Sequence, residues 1–195
     1  AIDFIQKQDS KDPFCLYVAY SSPHDPREAP EEFAKMYDSH NITLPENFQP
    51  EHPFDNGHLR TRDENLATFP RTEEMIKKEL VAYYAMVSEV DAQIGRVLDV
   101  LEEKNLMENT VIVFAGDNGL AVGQHGLLGK QSVYDHSVRV PLVIAAPNIK
   151  GDQKTEVLCY LYDVFPTICD LLDLEIPSSV EGESLFPILK NEKTE

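Results

Sequence analysis

The sequence predicts an α/β fold in which a mainly parallel sheet is flanked by helices. Two apolar runs, Phe14–Tyr20 and Val111–Ala115, are nearly unbroken, as strands covered on both faces require. Between them, from about Glu73 to Glu102, apolar side chains recur at steps of three and four, the period of a helix with one buried stripe. Strand, long helix and strand in alternation is the pattern of that class.

Taken in order, Ala1–Lys7 has apolar positions spaced as in the closing turns of a helix, and Asp12-Pro13 leads into the first strand. Ser21–Pro26 ends that strand with a cluster of polar side chains. Pro30 starts a short helix that reaches toward Tyr37. From 41 to 70 no period is sustained; Pro45, Pro50, Pro53, Pro70 and the Asp55-Asn-Gly57 turn mark a long irregular excursion, suited to walling a pocket or to lying in solvent as an insertion. The long helix carries its stripe on Ile76, Leu80, Tyr83, Tyr84, Val87, Val90, Ile94, Val97, Leu98 and Leu101, with Glu73 and Glu74 at the positive end of its dipole. Val111–Ala115 follows as a buried strand, Ser132–Ser137 as a short helical or extended passage, and Val140–Pro147 as a third strand with Pro141 at its entry. The later part of Val157–Leu172 reads as helix with Pro166 in its first turn. Leu185–Leu189 is a last short element before a tail, Lys190–Glu195. Three strands are few for a complete layer, so the sheet is expected to be incomplete.

With 195 residues, 42% hydrophobic and 26% charged, the chain can bury a sizeable core in a single domain or a large part of one. Its 34 acidic residues against 17 basic ones leave a net charge of −17, a field that repels nucleic acid and anionic membranes. A local cation can still reverse that field in one pocket and admit a small anion. No run approaches the roughly 20 apolar residues of a membrane span. The three cysteines, Cys15, Cys159 and Cys169, sit among apolar neighbours without metal-ligand spacing, and buried free thiols are expected.

The chemistry gathers after the strands, where open α/β sheets bind ligands. Asp117 and Asn118 offer a carboxylate and an amide oxygen in a tight turn between Gly116 and Gly119; such hard donors suit calcium or magnesium better than zinc, though a plain turn explains the same residues. His24, past the first strand, can protonate a leaving oxygen or hydrogen-bond an anion. Lys130, reached through Gly123-Gln-His-Gly-Leu-Leu-Gly129, is a point cation for an oxyanion, and His125 can add a hydrogen bond. In the excursion, Arg60 and Arg62, with His52 and His58, can read a carboxylate or sulfate; solvated loop side chains are the other reading.

Together these stretches resemble a known family. Phe14–Pro26 with its Pro-His-Asp-Pro ending, Tyr83–Asp91 with Gly95-Arg-Val-Leu98, Asp117-Asn-Gly119, Gly123-Gln-His-Gly126 with Lys130, and Arg139-Val-Pro-Leu142 are similar to the later part of the sulfatase catalytic domain, in the alkaline-phosphatase-like superfamily. Asp163, Pro166-Thr167 and Gly182-Glu-Ser-Leu-Phe-Pro187 resemble its closing segment. The resemblance spans nearly the whole chain. It implies that Asp117 and Asn118 bind a divalent metal, usually calcium, that Lys130 and His24 contact the sulfate or its leaving oxygen, and that His125 borders the substrate. It implies hydrolysis of a small sulfate ester, a sulfated carbohydrate among the candidates, by a formylglycine whose hydrate attacks sulfur and later expels sulfate by hemiacetal collapse.

The family's Cys/Ser-x-Pro-x-Arg motif follows none of the three cysteines, and the early strand with paired metal-binding aspartates is absent. The chain is therefore expected to be the C-terminal portion of such a domain, incomplete at its N-terminal side, with the missing part as its partner and negligible turnover alone. Two alternatives remain: a phosphate or phosphonate ester hydrolase of the same superfamily, and a noncatalytic metal- or anion-binding or structural module. Secreted, periplasmic and lysosomal locations all accord with the resemblance, and the sequence selects none.

Overall fold

Thr72 opens the longest element: its hydroxyl accepts the Met75 amide at 3.2 Å, and Glu73 and Glu74 fill the first turn. The computed structural model describes residues 1–9 and 12–192. The helices are α1 (Ile2–Gln6), α2 (Glu31–Ala34), α3 (Glu73–Glu103), α4 (Asp135–Val138), α5 (Val164–Leu171) and α6 (Phe186–Leu189); the strands are β1 (Ile112–Ala115) and β2 (Leu142–Ala145). They fall into two units, Ala1–Lys104 with Asn118–Val140, and Asn105–Asp117 with Pro141–Glu195. The final residues of the expected tail, 193–195, lie outside the described residues.

In the first unit α3 packs against α1, α2 and a 3₁₀ turn at Ser39–Asn41. Ile76, Leu80, Ala85, Met86, Val100 and Leu101 are its buried residues. Two members of the expected stripe depart from it: Tyr84 is 36% and Val87 42% exposed, because the short elements beside the helix cover only part of its length. The Tyr84 ring instead tilts on Tyr37, centroids 5.7 Å apart, and Tyr37 Oη lies 2.7 Å from Ser88 Oγ. A core cluster joins Ile76 and Leu80 to Ala67, Val122 and Leu128, with Ile42, Leu44, Phe48 and Leu120 packed on it.

That cluster changes the picture of the 41–70 excursion. It is irregular apart from 3₁₀ turns at Ser39–Asn41 and Arg62–Leu66, yet it is no solvated insertion, since His52, Asp63, Glu64 and Ala67 are buried. Apolar side chains from both ends of the segment supply one side of the core, a packing role that leaves no periodic trace.

Phe14–Tyr20 is not a strand among the described residues. It has no ladder partner, and Tyr17 is 90% exposed. Apolar composition supplies side chains for a covered strand, but only a hydrogen-bonded neighbour makes one. Phe14 meets Phe4 edge-on at 5.7 Å.

In the second unit β1 and β2 pair antiparallel, Ile112 opposite Ala145 and Ala115 opposite Leu142. The expectation of a mainly parallel sheet is thus not met by this ladder. Nor is β1 buried throughout: Phe114 is 42% exposed, and Val143 across from it 58%. Continuous apolar runs announce strands covered on two faces, and here one face has no cover. The α/β class itself stands on the structural relatives described below.

Asp163 and Thr167 organise the remainder of this unit. Asp163 accepts the amides of Tyr160 at 2.7 Å and Glu183 at 2.9 Å; the buried Thr167 hydroxyl donates to the Asp163 carbonyl at 2.6 Å and accepts the Leu185 amide at 2.8 Å. Pro166 sits in the first turn of α5, where its missing N–H costs nothing. All three cysteines are free thiols, but only Cys169 is buried; Cys15 and Cys159 are exposed because the segments that carry them pair with no described strand.

Candidate active site

Backbone and side-chain bonds from the 41–70 segment clasp the glycine-rich loop along its length. Phe48 bridges Gln124, and the Asn47 carbonyl accepts the His125 amide at 2.9 Å. Gly126, at φ +73°, passes so close to Glu51 and His52 that a Cβ would lie 2.5 Å from the Glu51 carbonyl carbon, so only glycine fits. The Glu64 carboxylate then accepts the amides of Leu128 at 3.0 Å and Gly129 at 2.8 Å. Arg71, its side chain fully buried, donates to Glu64 Oε2 at 2.6 Å, to the Glu64 carbonyl at 2.9 Å and to the Gly126 carbonyl. Burial pushes the Arg71 guanidinium below its ordinary pKa, and the hydrogen bond and charge of Glu64 oppose the shift.

A chain of contacts starts at His24. Its Nδ1 lies 3.0 Å from the Asp25 carbonyl, which can only accept, and its Nε2 meets Arg62 Nη2, which can only donate. The imidazole in this arrangement is therefore the Nδ1–H tautomer, with its Nε2 lone pair directed at Arg62. Giving a proton to a leaving oxygen would require Arg62 to withdraw and Nε2 to gain a proton first. Arg62 Nε lies 2.8 Å from Asp63 Oδ1; Asp63 Oδ2 accepts Gln131 Nε2 at 3.1 Å; Gln131 Oε1 accepts the Lys130 amide at 3.2 Å. His24, Arg62 and Lys130, three expected site residues, are thus joined by consecutive contacts. Arg27 secures the loop before them, its guanidinium 3.2 Å from Asp25, 2.8 Å from Glu79 on α3 and 3.4 Å from the Leu128 carbonyl.

His125 belongs to a second cluster. Its ring stacks on Tyr134, centroids 4.2 Å apart and 16° from parallel, while Nε2 accepts from Asn47 Nδ2 at 3.0 Å. His52 approaches the same tyrosine, Nε2 3.2 Å from its hydroxyl, and His136 lies 6.0 Å from His125, centroid to centroid. Burial, and next the charge of His125, pull the pKa of His136 down. Arg60 stays outside both networks; it is exposed, and its carbonyl accepts from Asn65 at 3.0 Å.

Asp117 and Asn118 occupy the turn after β1, both exposed, and the division between the two units falls between them. The Gly116 amide bonds the Pro141 carbonyl at 3.1 Å and the Gly119 amide the Ser137 carbonyl at 2.9 Å, so each side of the turn is tied to its own unit. Their oxygens suit a hard cation, but a calcium ion takes six to eight. Among the described residues no group of three or more His, Cys, Asp or Glu is arranged to hold a metal, so this pair fits part of a shell.

The sulfatase family model matches residues 1–174. The chain belongs to the sulfatase family. An arylsulfatase of Clostridium perfringens is 33% identical over 195 residues, an alignment covering 97% of this chain and 40% of the relative. A choline-sulfatase of Rhizobium meliloti is 31% identical over 96% of this chain and 38% of its own length. Among solved structures, a phosphonate monoester hydrolase of Agrobacterium radiobacter superposes with a TM-score of 0.85 at 28% identity, over 97% of this chain and 40% of that one. A structure solved in complex with its substrate D-glucosamine-2-N,6-O-disulfate gives 0.75 at 25% identity, over 98% and 50%. The chain spans about 40% of the length of the curated sulfatases it matches. These neighbours carry the α/β alkaline-phosphatase-like fold that the sequence predicts.

Sequence reasoning missed the residues that hold the site together: Asn47, Asp63, Glu64, Arg71, Gln131 and Tyr134. The one available signal was an Asp-Glu pair inside an otherwise aperiodic, proline-rich sulfatase segment, and it does not separate a buried acid from a solvated one.

Proposed function

We propose that this chain forms the C-terminal portion of a sulfuric ester hydrolase that removes sulfate from a sulfated sugar or another small ester. The observation that carries the reading is the run of contacts from His24 through Arg62, Asp63 and Gln131 to Lys130, inside a chain of the sulfatase family. It joins an imidazole, a guanidinium and the backbone that carries Lys130, which supports a reading in which two cations and an imidazole serve one anion with charge-bearing oxygens. Arylsulfatase and choline-sulfatase relatives and the disulfated-glucosamine complex support the substrate class.

Asp117 and Asn118 would contribute two oxygens to a calcium site, magnesium being the other hard candidate. Calcium there and a formylglycine outside these residues would supply charge neutralisation and an oxygen nucleophile. Lys130 neutralises charge on the bound sulfate, His24 hydrogen-bonds a sulfate or leaving oxygen once Arg62 has turned to bind the same anion, and His125 and Arg60 face the rest of the substrate. These residues without the remainder of the domain have negligible turnover, because they include no nucleophile of that kind.

A second reading, phosphonate or phosphate monoester hydrolysis, draws on the solved phosphonate monoester hydrolases. The test is to purify the natural protein containing this chain and compare turnover of 4-nitrophenyl sulfate with that of a 4-nitrophenyl phosphonate monoester. Faster chelator-sensitive sulfate release, abolished by Asp117→Ala, supports the first reading; preference for the phosphonate selects the second; no hydrolysis of either leaves a binding or structural role.

A further inference from the structure

Asp63 and Glu64 take no part in that reaction, yet both carboxylates are buried, the residues 2% and 5% exposed. We propose that this acidic pair, with Gln131, is the positioning device that sets Lys130 and His24 on one bound anion; the inference rests on the sulfate-ester reading of the site.

Three consecutive amides, those of Leu128, Gly129 and Lys130, end on side-chain acceptors rather than on secondary structure. Glu64 takes the first two, at 3.0 and 2.8 Å, and Gln131 Oε1 takes the third at 3.2 Å while its own amide nitrogen donates to Asp63 at 3.1 Å. Gly129 leaves the room for this, since a Cβ there would lie 2.6 Å from Gln131 Oε1 and 2.8 Å from Glu64 Oε1. The backbone that carries Lys130 is consequently defined by two neighbouring residues of one 3₁₀ turn, Arg62–Leu66. From the same turn, Asp63 pairs with Arg62, and Arg62 meets His24.

The two carboxylates divide the work unequally. Glu64 is matched by the buried Arg71, a pair that serves the packing of the loop. Asp63 instead spends a buried charge on two exposed partners, Arg62 and Gln131. Its Oδ1 has no aligned hydrogen bond, only the 2.8 Å approach of Arg62 Nε. A buried carboxylate served by exposed side chains is a poor stabiliser. It is a good ruler, because its position is set by the core and its partners stand at the site.

The natural full-length protein tests this with Lys130→Ala, Asp63→Asn, Gln131→Ala and the two double variants that include Lys130→Ala. Calorimetric binding of inorganic sulfate, kcat and KM for 4-nitrophenyl sulfate, and thermal unfolding are the readouts. Lys130→Ala should weaken sulfate binding about tenfold or more, and Asp63→Asn and Gln131→Ala several-fold. In the Lys130→Ala background Gln131→Ala should then cost less than about twofold, since its path to the anion ends at Lys130, while Asp63→Asn keeps only the part it exerts through Arg62 and His24. Gln131→Ala, at an exposed position, should leave the melting temperature unchanged and so carries the test if Asp63→Asn fails to fold. Full additivity of Gln131→Ala with Lys130→Ala, or sulfate binding that follows only the loss of stability, overturns the positioning role while the site stands. Wild-type sulfate binding in Lys130→Ala removes the reading of the site, and this inference with it.

Discussion

Arg71 Nη2 lies 2.6 Å from Glu64 Oε2, and solvent reaches neither side chain beyond 5%. The pair joins the end of the irregular segment to the glycine-rich loop, for Arg71 also holds the Gly126 carbonyl and Glu64 the amides of Leu128 and Gly129. Removing one partner strands the other charge in the interior. Arg71→Ala should therefore destabilise the full-length protein by about 3–5 kcal/mol. Urea unfolding measures it; a loss below about 1 kcal/mol would show that the loop is held by something else.

Asp163 and Thr167 make a second prediction in the other unit, one without an ion pair. Thr167→Val keeps the shape but abandons the Leu185 amide, for a cost of about 1–3 kcal/mol. Asp163→Ala abandons the amides of both Tyr160 and Glu183 and should cost more. Hydrogen exchange at Leu185 and Glu183 should accelerate in the corresponding variant; unchanged protection contradicts the assignment.

His136 predicts a pH dependence. Its folded pKa lies below the ordinary 6.5, first through burial and next through His125, with Glu64 and Asp135 pulling the other way. The unfolded chain therefore takes up this proton first as the solution is acidified. The stabilisation is fully present above about pH 6.5 and is lost as pH falls through the folded value. His136→Asn should flatten the stability profile on the acid side, and a histidine titration followed by NMR should place His136 below the ordinary histidine value.

Arg60 and Arg62 should part company. Arg62 touches His24 and Asp63, whereas no described residue bonds the Arg60 side chain. In the full-length protein Arg62→Ala should lower kcat/KM about tenfold, ~1.4 kcal/mol, toward every sulfate ester tried, because it disturbs the common anion network. Arg60→Ala should alter only the ranking of substrates. Equal effects on all substrates from both variants would assign the two arginines one role.

The long helix, β1, β2 and α5 were legible because each leaves a local mark: a period, an apolar run closed by a turn, a proline at a fixed offset. Phe14–Tyr20 shows the limit of such marks, since the run is apolar and yet unpaired among the described residues, with Tyr17 90% exposed. Antiparallel pairing of β1 and β2 was equally hidden, because an apolar run encodes cover and not strand direction.

By itself, then, the sequence determined the sulfatase family, the α/β class and the span of the long helix, properties written in spacing and in motif order. Tertiary structure alone decided that Arg62 faces His24, that Asp63 and Glu64 are buried acids rather than solvated ones, and that Arg71 is the cation that answers Glu64. Those pairings join residues 38 and 7 positions apart in sequence. Their attraction must offset the cost of desolvation at the meeting point, and neither the burial nor the geometry exists until the chain has folded.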